Sequence, residues 1–209
     1  MGNNQDYVLK QFSNKRTIYL IDVIDDQSLI KFKQDLDLII SSDDEIISEN
    51  YKNLLAFDSN LAEYYKKHVK RPDITIELSS AGGSVYEGLS FYDTIKSYND
   101  KGDYKINCNA SGLIASMASI IMLACNERVA SNHTSILVHQ ISTFVGRETV
   151  EGLKDELEEV ERLTNILRGI YYERTKLTKE ALDEKDKEKK DWIMTAKEAL
   201  DYGIITKIQ

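Results

Sequence analysis

A serine set among small residues at the start of an apolar helix is a candidate nucleophile, and the run Gly112-Leu113-Ile114-Ala115-Ser116-Met117-Ala118 contains one. At a strand-to-helix junction, free backbone N–H groups and the positive helix end can stabilise a developing oxyanion. The run is not the GxSxG elbow of the α/β-hydrolases, and a small residue in a packed helix is the plainer account of Ser116. A serine hydroxyl is a weak nucleophile until a base takes its proton, so the histidines come next. There are three. His68 sits in a short basic patch with Lys66, Lys67, Lys70 and Arg71, and His133 lies in a polar turn over 131–134. His139 ends an apolar strand, where it is either a base or a satisfied core residue. The stretch Ser79-Ser80-Ala81-Gly82-Gly83-Ser84 joins a strand to a helix. Its glycines either admit a substrate backbone and aim N–H groups at charge or simply turn the chain. It lacks the Lys-Ser/Thr ending of a phosphate-binding loop.

The elements that must position these residues can be read from hydrophobic period. A β-branched and aromatic run over 16–23 predicts a strand, and Asp25 and Asp26 then open a helix in which Leu29, Ile30, Phe32, Leu36 and Ile39 recur at helical spacing. Residues 41–49 are polar and acidic, and 51–69 mix leucines with charges before the only proline, Pro72. This part reads as an insertion over about 41–70, a loop plus a surface helix. A second strand over 73–79, a glycine turn and a helix over 84–98 come next, then a third strand over 104–110 punctuated by Gly112 and an apolar helix over 115–124. A short strand over 135–138 ends at His139. In the long helix expected over 148–174, Val150, Leu153, Leu157, Val160, Leu163, Leu167 and Ile170 form a narrow apolar seam of the kind that packs on another helix, an expected oligomer interface. The charge run over 183–191 reads as a solvated loop. Strand-like Trp192-Ile193-Met194, a helix over 195–202 and a strand over 204–208 close the chain. Alternating strands and helices imply a layered α/β fold, here one domain over residues 1–209.

Composition narrows the function. With 27 Lys+Arg against 35 Asp+Glu the net charge is −8, which argues against nucleic-acid binding. The longest apolar stretch, 112–125, is far shorter than the roughly 20 residues of a spanning helix, so no membrane segment is expected. The N-terminus carries no signal-peptide pattern, and Cys108 and Cys125 form neither a CxxC pair nor a disulfide framework. A cytoplasmic protein without structural zinc or any other metal or cofactor is the expectation, with both cysteines in the core.

Taken together, Leu78-Ser79-Ser80-Ala81-Gly82-Gly83-Ser84-Val85, Gly88-Leu89, Tyr92-Asp93-Thr94-Ile95, the Ser116 run, Val138-His139-Gln140 and the closing stretch from Asp191 to Ile205 resemble the proteolytic subunit of the Clp protease, a self-compartmentalising serine peptidase of crotonase-like fold. The resemblance runs from about Arg16 to Ile208. It implies a Ser-His-Asp triad of Ser116 as nucleophile, His139 as base and then acid, and Asp191 as the group holding the imidazole, with Gly82 and Met117 giving oxyanion-hole N–H groups. Asp183 and Asp186 compete with Asp191 in the same charge run, and Asp191 is chosen because the apolar triplet and Thr-Ala-x-Glu-Ala after it match the family motif. It further implies a protruding handle helix, two heptameric rings forming a tetradecameric homo-oligomer around a closed chamber, peptide or unfolded-protein substrates, and an AAA+ unfoldase partner.

The sequence departs from the family pattern at Ile141, at Ser142-Thr143-Phe144-Val145-Gly146, at Lys189-Lys190 and in the long segment before Gly82. Such divergence fits a phage-encoded or accessory relative. Two other readings compete. A crotonase-like acyl-CoA enzyme would need a CoA site and an acidic base near Gly82. A non-catalytic scaffold subunit would have no need of all three triad residue types.

Overall fold

The computed structural model describes residues 9–142, 149–188 and 191–209, with the side chains of Asp186 and Glu188 outside that description. Of the departures noted above, residues 143–146 and Lys189-Lys190 lie outside the described residues. Strands β1 (Thr17–Leu20), β2 (Ile74–Ser80), β3 (Ile106–Ala115), β4 (Arg128–Ala130) and β7 (Lys207–Ile208) pair in that order, all in parallel. On its edge away from β2, β3 is long enough to serve two neighbours. Cys108 to Ala110 pair with β4, whereas Leu113 to Ala115 pair in parallel with β5 (Ser135–Val138). β6 (Trp192–Thr195) then runs antiparallel along β5.

The alternation expected of a layered α/β fold is present. Helices α1 (Asp26–Phe57), α2 (Ser59–His68), α3 (Val85–Lys101), α4 (Met117–Ala124), α5 (Val150–Arg174), α6 (Lys179–Glu188) and α7 (Ala196–Asp201) connect the strands. On β2, Ile74, Ile76, Leu78 and Ser80 point inward in strict alternation. All eight residues of α4 are buried, because it is packed against α3, α5, β2 and β5 at once. A helix that is apolar all round is stable only in such a setting.

Several expectations are corrected. First, 41–49 is not a loop: α1 continues unbroken to Phe57. Its inward stripe switches from apolar to polar there, and the polar residues are satisfied. Asp43 is fully buried and takes both Arg16 guanidinium nitrogens at 2.8 and 3.0 Å and the Tyr104 hydroxyl at 2.9 Å. Further along the same helix, Asn50 is buried as well and clamps the Lys10 backbone at 2.8 and 2.9 Å. Hydrophobic periodicity cannot register a stripe whose members are an aspartate and an asparagine. Removing one partner of a buried ion pair strands the other, so Asp43→Ala is expected to cost about 3–5 kcal/mol, read from urea denaturation midpoints at constant slope.

Second, Gly112 does not end the third strand. At φ +66° it forms a kink inside β3, where the pairing with β2 shifts register between Leu78 and Ser80. That shift carries β3 on to Ala115, next to Ser116. Third, β4 is an additional strand, absent from the sequence reading because three residues, Arg128 to Ala130, are too few for a periodic signal. Fourth, much of the charge run is helical. Thr178 accepts from the Ala181 N–H at 3.2 Å at the start of α6, and Leu177 and Leu182 are buried beneath it. Only two apolar anchors hold an otherwise charged helix, which gives its sequence the look of a loop. The final strand is also shorter than 204–208, since Ile204 and Ile205 are core residues of the turn before β7.

The seam on α5 divides in two. Val150, Leu153 and Leu157 are exposed, whereas Leu163, Ile170 and Tyr171 are buried against the body. Its last turn is tied to the C-terminal end of α4, where the Leu123 and Cys125 carbonyls accept from Arg174 at 2.9 and 3.3 Å. Cys108 and Cys125 are both buried free thiols, as expected of core cysteines. Among the described residues, no helix is long and apolar enough to cross a membrane.

Candidate active site

Ser116 stands at the hinge between β3 and α4. Its backbone adopts φ 54° and ψ −126°, and it is the sole non-glycine with positive φ among the described residues. For a residue with a Cβ this region costs about 1–3 kcal/mol and persists only where surrounding contacts hold it. Those contacts are present. The Ser116 N–H donates to the Leu137 carbonyl at 3.0 Å, and its own carbonyl accepts from the Ser119 N–H at 3.0 Å and the Ser119 hydroxyl at 2.6 Å.

The strand register brings the other residues to the same end of the sheet. Ala115 pairs with Leu137, so Ser116 is one step past the last β3–β5 pair and His139 two steps past Leu137 on the adjacent strand. On the far side of β5, Val138 pairs with Trp192. Extending that antiparallel register by one residue sets His139 opposite Asp191. Ser116, His139 and Asp191 thus occupy corresponding ends of three neighbouring strands. Ser116 and His139 line one cavity together with Met117, Gly83, Val138 and Gln140. Asp191 is exposed and is not one of its lining residues, although its neighbour Trp192 is. No hydrogen bond among the described residues joins Ser116 to His139 or His139 to Asp191.

Of the competitors, Asp183 and His68 are otherwise engaged. Asp183 accepts from Arg168 at 2.7 Å with Lys179 at 3.7 Å, and the Arg168 hydrogen bond, outweighing some desolvation, holds its carboxyl below the usual range. The Asp186 side chain lies outside the described residues. His68 faces the Tyr64 carbonyl at 2.8 Å and stacks on the Tyr64 ring, on a helix that precedes β2. His133 is exposed in the turn after β4.

The glycine turn presses on the serine. A Cβ on Gly82, whose φ is +96°, would lie 2.7 Å from the Ser116 Cβ and 2.8 Å from the Ala115 carbonyl, so only glycine fits. The Gly82 N–H, however, donates to the Ser80 hydroxyl at 3.1 Å. Gly83 is the glycine that lines the cavity, and no acceptor among the described residues takes its N–H. Sequence alone could not separate two adjacent glycines. Met117 lines the cavity as the first residue of α4, where its N–H has no partner within the helix. The walls are mixed: Ile120, Leu167, Leu182 and Trp192 give apolar surface, and α5 and α6 also supply Arg168, Tyr171 and Lys185. Sequence reading missed these wall residues because they come from elements distant in the chain.

Residues 41–209 match the Clp protease family model, four-fifths of the chain. The chain belongs to the Clp protease family. The α/β sheet described above is accordingly of the family's crotonase-like type. Similar proteins include an "ATP-dependent Clp protease proteolytic subunit" of Chaetosphaeridium globosum, 32% identical over 138 residues that cover 65% of this chain and 66% of that protein. A protein of the same description from Porphyromonas gingivalis is 35% identical over 143 residues, 65% of this chain and 59% of its own length. "ATP-dependent Clp protease proteolytic subunit 3" of Rhodococcus jostii is 32% identical over 139 residues, 65% of each. The matched region thus spans slightly under two thirds of these family members.

Proposed function

We propose that the chain is a serine endopeptidase of the Clp type that cleaves peptides and unfolded proteins. The observation that supports this is the strained Ser116 at the end of β3, beside a β5–β6 register whose extension by one residue would bring His139 opposite Asp191. A serine serving only as a small packing residue would have no reason to hold a Cβ in a costly backbone region. In the first step the Ser116 hydroxyl attacks the scissile carbonyl while His139 takes its proton. The oxyanion that forms is held by the N–H groups of Met117 and of the glycine turn, where the Gly83 N–H has no acceptor among the described residues. His139 then gives the proton to the leaving amine, and a water molecule repeats the sequence to release the acyl group and restore Ser116. Asp191 keeps the imidazole in the tautomer that presents a bare nitrogen to Ser116. Catalytic hydrogen bonds are often long before substrate binds and tighten in the loaded complex. The apolar part of the walls, Ile120, Leu167, Leu182 and Trp192, fits a hydrophobic substrate side chain next to the scissile bond.

Fluorophosphonate treatment followed by peptide mass mapping is expected to place the adduct on Ser116; an adduct elsewhere, or none, refutes the assignment.

The same reading extends to assembly. Val150, Leu153 and Leu157 make an exposed apolar strip on the outer half of α5, fitting a handle that meets another subunit in paired heptameric rings around a chamber. An ATP-driven unfoldase would feed that chamber, and the cytoplasm is its setting. Leu157→Glu is expected to lower the native mass seen by light scattering, whereas Leu163 is a poor probe because it is buried within the subunit.

A further inference from the structure

Ser119, already seen to hold the Ser116 backbone, also meets Tyr171, a residue of the cavity lining, in a buried polar contact beside the serine. The Tyr171 hydroxyl on α5 is 2.6 Å from the Ser119 hydroxyl, and Ser119 is 2.6 Å from the Ser116 carbonyl oxygen. Ser119 is fully buried and Tyr171 nearly so. Ser119 has one hydroxyl proton, and it goes to the carbonyl; the Tyr171 hydroxyl must therefore donate to Ser119. Burial pushes the Tyr171 phenol up to about 12, so it remains a donor throughout the neutral range.

The carbonyl at the end of this chain belongs to the Ser116–Met117 peptide, which is planar. Fixing the direction of its C=O fixes the direction of the Met117 N–H on the opposite side. Two donors on the carbonyl, the Ser119 N–H and hydroxyl, also polarise the amide and strengthen that N–H as a donor. We infer that Ser119 and Tyr171 are positioning residues that aim and polarise the Met117 N–H of the oxyanion hole through the Ser116–Met117 peptide. The inference rests on the peptidase reading above. It also makes α5 part of the active-site support, since Tyr171 reaches the nucleophile's backbone from that helix.

The test compares wild type, Tyr171→Phe, Ser119→Ala and the double variant, each as the full chain in its native assembly. A positioning role acts on the transition state, so Ser119→Ala is expected to lower kcat about tenfold and Tyr171→Phe about threefold, with KM unchanged within about twofold. The double variant should be no slower than Ser119→Ala, because both changes break one chain. Inhibition by a peptide boronate, which forms a tetrahedral adduct on the serine, should weaken in the same proportion as kcat/KM. A purely structural role would lower melting temperature and the number of titratable sites without moving the rate per site or the boronate affinity. Ser119→Ala leaves a buried phenol without its partner; if that variant does not fold, the double variant, which removes both polar groups, replaces it in every comparison. Wild-type kcat in the serine variant, single effects that multiply, or boronate affinity that stays constant while kcat falls would overturn the inference. Failure of the peptidase reading looks different: wild type itself would then form no boronate adduct at Ser116.

Discussion

Ser116→Ala is expected to lower peptide cleavage by about 10⁶-fold and to eliminate fluorophosphonate labelling, measured on the assembled protein against a fluorogenic peptide. The size reflects the loss of the bond-forming atom. What remains would be the smaller acceleration from binding and from the Met117 and Gly83 N–H groups alone. A variant retaining cleavage within about a hundredfold of wild type would place the nucleophile elsewhere. A companion substitution ties the chemistry to the backbone. The strain at φ 54° and ψ −126° arises from the Cβ, and alanine keeps that atom while glycine does not. Glycine occupies the mirror of the extended region freely, so Ser116→Gly should be as inactive as Ser116→Ala yet more stable than it by about 1 kcal/mol in chemical denaturation. Equal stability of the two would mean that the turn is not strained.

The second large effect concerns the carboxylate. Asp191→Asn is expected to reduce kcat by about 10⁴, because an asparagine opposite His139 would favour the wrong imidazole tautomer while leaving the β5–β6 pairing intact. Asp183→Asn should leave kcat within about threefold, since its carboxylate is bound to Arg168 at 2.7 Å and the pair is partly exposed. The contrast discriminates between the two residues in one experiment. If the Asp183 variant shows the larger loss, the extension of the β5–β6 register to His139 and Asp191 is wrong. Both variants should be compared at equal native mass, so that a change in assembly is not read as a change in chemistry.

Much of this site is legible from local pattern. The Ser116 run, the Gly82-Gly83 turn and the end of an apolar strand at His139 are visible because each is a short junction between a strand and the next element, and junctions announce themselves by small residues and broken period. The capped start of α1 is visible for the same reason, with Asp25 accepting from the Ser28 N–H at 2.8 Å. The second half of α1 is not, because Asp43 and Asn50 face inward and their partners, Arg16, Tyr104 and the Lys10 backbone, come from separate parts of the chain. Helix α6 is hidden similarly, its anchors being Leu177 and Leu182 in a stretch of charge.

By itself, then, the amino-acid order determined the residue types of the site, the elements that end at them and the family they resemble, since these depend on neighbours along the chain and on motif order. Only the tertiary structure decided that the Gly82 N–H goes to the Ser80 hydroxyl while Gly83 lines the cavity, that Asp183 is held by Arg168, and that Tyr171 reaches the serine's peptide through Ser119. Each of these is a choice among chemically equivalent candidates. Hydrogen bonds between residues far apart in sequence make that choice, and no local period encodes which partner a buried donor will find.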